Sequence, residues 1–167
     1  MKRETDTIRN MLNALYKPLV ERADALYSEI AKADFGHELR RGFYNGHYRK
    51  NGCGEYEKDH YPIPEIELRG LCDIECGFEE TGITAKLKRE DIKRFFTEAP
   101  ANYAFELYGV EDWLITLGDQ NDIVAAVDNA LESSEKEFFV SFRLDPNCAI
   151  DSVLALLTRL LEGGFYY

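Results

Sequence analysis

The sequence lacks any uninterrupted apolar run near the roughly 18 residues that a membrane-spanning helix requires. Its first six residues, Met-Lys-Arg-Glu-Thr-Asp, are polar and do not have the pattern of an export signal. Four cysteines in 167 residues are also too few for a disulfide scaffold, so free thiols are expected. These absences predict a soluble protein that stays in the reducing cytoplasm and does not enter a membrane.

The chain also contains no catalytic, nucleotide-binding or metal-binding fingerprint of defined spacing. No cofactor is therefore predicted, and a catalytic function is less favoured than a binding function. What the chain does have is a globular composition, 45% hydrophobic and 13% aromatic. Its length fits a single α+β domain, residues 1–167, with a core large enough to be stable.

Basic residues are absent from one long segment, residues 95–135, which contains nine Asp and Glu residues. The whole chain has a net charge of −11, whereas residues 1–62 hold eleven Lys and Arg against ten Asp and Glu. An acidic surface repels nucleic acid and favours basic partners. Nucleic acid is therefore an unfavoured partner, and a solvated acidic face is the simplest interpretation of the segment.

The N-terminal segment, residues 1–33, has the period of an amphipathic helix. Its apolar side chains recur at spacings of three, four and seven between Ile8 and Ile30. Pro18 lies within this stripe and predicts either a kinked long helix or a helix pair. We expect the helix to cover a sheet, although its heptad-like stripe could instead pair with a second copy and form a homo-oligomer.

Residues 63–167 change to strand and helix patterns that predict the core. Alternation over residues 66–78 predicts one long strand, bulged or bent near Gly70, and residues 83–87 predict the strand that returns beside it. Further strands are predicted at 103–107 and 138–144, with helices at 89–98, 119–131 and 150–161. This order predicts an α+β fold with an antiparallel sheet of about four strands, covered by helices on one face.

Two cysteines, Cys72 and Cys76, share the apolar face of the predicted strand with Ile74. Four residues along a strand span about 13 Å, which is too far for a disulfide or for two ligands of one zinc ion. We therefore predict that both are buried core thiols.

Periodicity disappears in residues 34–62, which are predicted to form an irregular, glycine-rich loop. All three histidines lie in this loop, together with four Lys or Arg residues between Arg40 and Lys50. Cations mixed with aromatic rings are typical of recognition surfaces. We therefore predict a non-catalytic protein-binding module that uses residues 35–62 and whose protein partner is unidentified. Its candidate binding residues are Arg40, Arg41, Tyr44, His47, Tyr48 and Arg49.

Three other hypotheses fit the same loop. Residues 40–50 could stack on the bases and contact the phosphates of a single-stranded nucleic acid. The cations could instead dock on the acidic residues 95–135 of the same chain. Finally, His47, Cys53 and His60 are weak candidates for a zinc site or for the site of a small hydrolytic enzyme. Their spacing matches no paired zinc motif, so no metal is predicted.

Overall fold

The computed structural model describes residues 2–44, 48–50, 56–58, 62–98, 104–111, 116–118 and 122–165. The helices in this part of the chain are α1 (Lys2–Ala33), α2 (Ile92–Glu98), α3 (Ile123–Glu132) and α4 (Ile150–Glu162). The strands are β1 (Leu39–Tyr44), β2 (Tyr48–Lys50), β3 (Tyr56–Lys58), β4 (Ile63–Leu68), β5 (Cys72–Cys76), β6 (Thr81–Lys88), β7 (Ala104–Gly109), β8 (Thr116–Gly118) and β9 (Glu137–Leu144). A short 3₁₀ turn, Arg89–Asp91, leads into α2.

One antiparallel sheet contains seven of these strands, in the order β1-β4-β5-β6-β9-β7-β8. Six of the seven have five to eight residues, and β8 adds a three-residue strand at one edge. Strands β2 and β3 form a separate two-stranded sheet. The α+β class is confirmed, whereas the predicted number of about four strands is wrong.

The predicted irregular loop is wrong over its first part, because β1 is a regular strand. It pairs with β4 along its whole length, from Leu39 opposite Leu68 to Tyr44 opposite Ile63. The sequence hides this strand because the polar Arg41 shares one face with the apolar Leu39, so the apolar alternation is interrupted. Residues 34–62 therefore contribute an edge strand to the main sheet.

The predicted single strand over residues 66–78 is also wrong, since this segment is a hairpin of β4 and β5. Gly70 lies in its turn with a φ of 85°, a left-handed conformation that favours glycine. Ile66 stands opposite Ile74, so residues of the same parity face each other across the hairpin. A bent strand and this hairpin therefore produce the same alternating pattern. The predicted antiparallel pairing with the next strand is confirmed, as β5 pairs with β6.

The core lies between the helices and one face of the sheet. Across five neighbouring strands, buried side chains stand directly opposite one another in a single row. This row consists of Ile66, Ile74, Ile83, Phe142 and Phe105. All four helices contribute residues to the same buried cluster, for example Leu26 from α1 and Leu157 from α4. Cys72 and Cys76 belong to it as well, which confirms the prediction that both are core thiols. We call the opposite side of the sheet the open face.

Helix α1 is continuous through Pro18, so the long-helix alternative is the one that the structure adopts. Its C-terminal half packs on the sheet, and Leu26 is fully buried. The same apolar stripe continues into the N-terminal half, where Ile8, Met11 and Leu15 are about 60% exposed. The stripe therefore extends beyond the part of the core that covers it. No helix among the described residues is long and apolar enough to cross a membrane.

Candidate recognition surface

The two predicted binding arginines of β1 lie on opposite faces of the sheet, because neighbouring residues of a strand point in opposite directions. Arg40 is opposite Glu67 on the open face, and its guanidinium pairs with Glu38 at 3.1 Å. Glu38 also binds Arg69 at 3.2 Å, and hydrogen bonds from both arginines lower the pKa of its carboxyl. Arg40 therefore lies at the edge of the open face, in an exposed ion pair with Glu38.

Arg41 points to the helix-covered face and is held by contacts within the chain. Its Nη2 lies 3.1 Å from Oδ1 of Asp24 on α1, and its Nη1 donates to the carbonyl of Gly42 at 2.7 Å. Its guanidinium also lies over the ring of Phe43, 5.1 Å from the centroid. Arg41 thus ties β1 to α1. Arg40 and Arg41 bind Glu38 and Asp24 and do not contact the described residues of 95–135, so the predicted intramolecular contact is not made by these two cations with that part of the segment.

The remaining predicted residues fall wholly or partly outside the described part of the chain. The backbone of Tyr44 belongs to β1, and Tyr48 and Arg49 belong to β2. His47, Cys53 and His60 lie outside the described residues, so the predicted weak zinc or hydrolytic site stays a prediction. Among the described residues, no cluster of His, Cys, Asp and Glu side chains could hold a metal ion.

A cluster of four carboxylates occupies the open face of the β4–β5 hairpin. Glu65 stands opposite Glu75, and Glu67 stands opposite Asp73, so two pairs of like charges face each other across the strands. Directly opposite side chains in an antiparallel pair are about 5 Å apart at Cβ, where like charges are destabilising. We call these four residues the carboxylate cluster.

The cluster raises the pKa of two of its own members. Burial raises the pKa of Asp73 from 3.8 to about 6, and the charges of Glu65 and Glu67 add to the effect. Burial likewise raises the pKa of Glu65, with further contributions from Glu75 and Glu67. Within the described part of the chain, the side chains of Glu65, Glu67 and Asp73 form no ion pair. The cluster is therefore a concentrated negative charge on the sheet.

Aromatic and hydroxyl groups continue the open face beyond the cluster. The rings of Tyr108 and Phe139 stack, with centroids 5.4 Å apart and an interplanar angle of 23°. Lys86 lies 6.0 Å over the Phe139 ring and pairs with Glu137 at 2.8 Å. The Thr84 hydroxyl donates to Ser141 Oγ at 3.1 Å. The open face is thus acidic on β4 and β5 and aromatic on β9 and β7.

A shallow cavity joins these two parts of the open face. Its volume is about 250 Å³, and it passes from Glu67 and Asp73 to Thr84, Lys86 and Phe139. A pocket of this kind can hold one side chain of a partner, with an acidic wall on one side and an aromatic ring on the other. Among the described residues that line it, Cys72 is the one thiol; it is buried, and burial raises its pKa, which makes it a poor nucleophile.

The carboxylate cluster was missed as a site because its geometry depends on the hairpin. In one long strand, Glu65 and Glu75 would be about 33 Å apart, whereas the hairpin places them opposite each other. The signal in the sequence is the recurrence of acids at alternate positions on both sides of Gly70. These acids form a cluster only if the chain turns at Gly70 and places the two halves of the pattern side by side.

Comparison with known proteins supports the fold and adds no function. No family model matches the chain, and no curated protein matches it. Its structure is similar to that of a conserved hypothetical protein from Pyrococcus furiosus, with a TM-score of 0.57 and 16% sequence identity. The similarity covers 98% of this chain and 96% of that chain. At this identity, the likeness concerns the fold alone.

Proposed function

We propose that this chain is a non-catalytic protein-binding module and that its open face takes a basic segment of a partner protein. The carboxylate cluster carries the proposal, because it holds like charges together at an energetic cost to the fold. A partner with Lys or Arg side chains would neutralise these charges. Binding would then recover free energy that the isolated protein lacks.

The shape of the surface favours an extended segment of the partner. The carboxylates form two rows about one strand spacing apart, and side chains of an extended peptide that face one way recur every second residue. Cations at every second position would therefore meet successive carboxylates. An aromatic side chain of the partner would enter the cavity beside Phe139, where Lys86 already supplies a positive charge. Arg40, at the edge of the same face, would pair with an acidic residue that flanks the basic segment.

This proposal moves the predicted surface from residues 35–62 to the sheet face that β1 borders. Single-stranded nucleic acid is a poorer candidate, because phosphates would be repelled by the cluster and Arg41 already binds Asp24. A metal-dependent or hydrolytic site at His47, Cys53 and His60 remains a separate hypothesis. Metal analysis of the purified protein tests it directly, since zinc bound through these residues would be lost in the variant His60→Ala.

The binding proposal is tested with a synthetic peptide that carries lysine at every second position. We expect the peptide to bind and its affinity to fall with salt, as contacts between exposed charges do. Replacing Glu67 and Asp73 by Gln and Asn should weaken binding about tenfold or more, which corresponds to about 1.4 kcal/mol. The matched control, Asp128→Asn with Glu132→Gln on α3, removes two charges elsewhere and should leave the affinity nearly unchanged.

Fluorescence anisotropy of the labelled peptide at low and high salt provides the measurement. A second peptide, with glutamate in place of each lysine, should not bind. Equal loss of affinity in the cluster variant and in the α3 control would mean that only net charge matters, and it would contradict a defined surface. Circular dichroism of both variants shows whether each is folded.

A further inference from the structure

The outer edge of β1 presents backbone groups to which another strand can bind. Among the described strands, β1 is the last one at its end of the main sheet. The amide of Arg69 donates to the carbonyl of Glu38 at 2.9 Å, and hydrogen-bonded positions alternate along an antiparallel pair. Every second residue of β1 therefore turns its backbone groups toward β4. The residues in between direct theirs outward, and they are Leu39, Arg41 and Phe43. We call this side of β1 the free edge.

The helix-covered side of the free edge has an exposed ring at one end and an apolar cavity at the other. Phe43 is 45% exposed, although it lies on the face that packs against the helices. Leu39, four residues earlier on the same face, lines a cavity of about 240 Å³ between β1 and the C-terminal part of α1. Its other walls include Tyr27, Ile30 and Phe35. The ring and the cavity thus lie at opposite ends of one short strand, as in a self-complementary interface.

We propose that two copies of this chain form a symmetric dimer in which their β1 strands pair antiparallel along the free edge and join the two sheets. With the two-fold axis at Arg41, Leu39 of each copy stands opposite Phe43 of the other. The outward-facing residues then form hydrogen-bonded pairs, and each pair exchanges two backbone hydrogen bonds. Each Phe43 ring enters the cavity beside the Leu39 that it faces. Burial of the two rings in apolar surroundings stabilises the dimer.

On the open face, the same register brings opposite charges together. Arg40 of each copy stands opposite Gly42 of the other, and among the described residues no atom lies within 4 Å of the place where a Cβ of Gly42 would be. Glu65 is the next residue beyond Gly42 across the sheet, so its Cα is two strand spacings, about 10 Å, from that of the incoming arginine. The Arg40 side chain can therefore cross the space above Gly42 and reach the Glu65 carboxylate of the second copy.

The two Arg41 residues face each other on the two-fold axis, but each is already neutralised within its own chain. Its guanidinium binds Asp24 of α1 at 3.1 Å, and its side chain is only 18% exposed. Helix α1 packs over β4 and β5, so this contact draws the guanidinium away from the free edge. Unpaired charges protect an edge strand from pairing, whereas these two charges meet as ion pairs. The position of α1 also leaves β1 open to a second strand.

Sedimentation velocity of the purified full chain over a range of concentrations tests the proposal. We expect a dimer, and Phe43→Ala should raise its dissociation constant at least tenfold because no ring then fills the cavity. The matched control is Phe78→Ala, since Phe78 is a similarly exposed phenylalanine, at 43%, in the turn after β5. This control should leave the dissociation constant nearly unchanged. Circular dichroism shows whether both variants are folded.

A cross-link tests the register itself. Arg40 of one copy and Gly42 of the other form a non-hydrogen-bonded pair, whose Cα atoms lie about 4.5 Å apart, and a disulfide can span this distance. A mixture of Arg40→Cys and Gly42→Cys should therefore yield a covalent dimer under mild oxidation, with the link at positions 40 and 42 in peptide maps. Neither variant alone should cross-link through its introduced thiol.

A chain that is still monomeric at about 1 mM would overturn the proposal. A dimer that is lost in Leu15→Ala but kept in Phe43→Ala would overturn it as well, because the interface would then lie on α1. Absence of the link between positions 40 and 42 in a mixture that does dimerise would contradict the register. Peptide binding to the carboxylate cluster is measured separately, so the dimer and the proposed function can fail independently.

Discussion

Asp73 is a single residue whose ionisation works against the fold. Its pKa is raised in the folded protein to about 6, whereas an unfolded chain would have the ordinary value of 3.8. A carboxyl with a raised folded pKa favours the folded state at low pH, and this contribution is lost as the pH rises through about 6. Asp73→Asn should therefore stabilise the protein at pH 7. Because the side chain is partly exposed to solvent, we expect about 0.5–1 kcal/mol.

Urea unfolding at pH 4 and pH 7 measures this effect, and the gain from Asp73→Asn should be much smaller at pH 4. The exposed α3 residue Asp128 provides the control, since Asp128→Asn removes the same charge outside the cluster. A gain of equal size at both pH values would show that packing of the amide, rather than loss of charge, explains it.

The guanidinium of Arg89 binds backbone carbonyls at and just after the C-terminal end of α3. Its Nη1 donates to the carbonyls of Ser133 at 2.6 Å and Glu135 at 3.1 Å, and the guanidinium also contacts the carbonyls of Ala130 and Leu131. Carbonyls at a helix end lack partners within the helix. Arg89 therefore fastens α3 to the start of α2.

Removing this arginine should leave several carbonyls without a donor. We expect Arg89→Ala to cost about 2–4 kcal/mol, since each lost charged hydrogen bond is worth about 1.5–3 kcal/mol and water replaces part of it. Chemical denaturation provides the value, with the exposed Arg69→Ala as a comparison expected near 0.5 kcal/mol. A similarly small loss of stability in Arg89→Ala would contradict this expectation, because it would mean that water molecules hydrogen-bond the carbonyls at the end of α3.

Helix α1 allows a direct comparison of two leucines from one stripe. Leu26 is fully buried and Leu15 is 59% exposed. Leu26→Ala should therefore destabilise the protein by about 2–5 kcal/mol, whereas Leu15→Ala should stay within about 0.5 kcal/mol. Urea melts at two protein concentrations give both values. A large, concentration-dependent loss for Leu15→Ala would show that a second copy covers the N-terminal half of the helix in solution.

Helices and central strands were predictable from the sequence because their apolar positions follow one period. α4, for example, has Val153, Leu157 and Leu160 on one face, and all three are fully buried. β1 was not predictable, because Arg41 takes an inward position that apolar residues usually fill. The β4–β5 hairpin was not recognised because even-numbered residues stand opposite even-numbered residues across the turn at Gly70. The apolar alternation is therefore the same as in one continuous strand. The apolar period alone indicates on which face of the sheet a residue lies, but it does not indicate which strand pairs with the strand of that residue.

The candidate sites depend on contacts between distant parts of the chain, which explains why sequence patterns revealed them only in part. Arg40 was predicted as a binding residue, and it lies on the open face. The carboxylate cluster requires the hairpin, and the contact of Arg22 with Cys148 joins α1 to the turn before α4. No local spacing encodes such a group. It follows from the order of strands in the whole molecule.

That order places β9, the last strand in the sequence, between β6 and β7. β6 and β7 do not pair with each other, so β9 is the element that joins the two parts of the sheet. The first cross-strand pair between β6 and β9, Lys88 with Glu137, closes a long loop that contains α2, β7, β8 and α3. Long loop closures slow folding.

During synthesis, the ribosome therefore releases β6 and β7 before the strand that pairs with both. One edge of β6 and one edge of β7 therefore stay unpaired until β9 is made, and unpaired strand edges are prone to pair with other chains. A fragment of residues 1–136 should show no cooperative unfolding transition, and a synthetic peptide of residues 137–167 should restore one when added. A fragment that melts cooperatively alone would mean that its strands close without β9. Until translation passes Leu144, the nascent chain contains the other six strands of the main sheet but lacks β9, the strand that pairs with both β6 and β7.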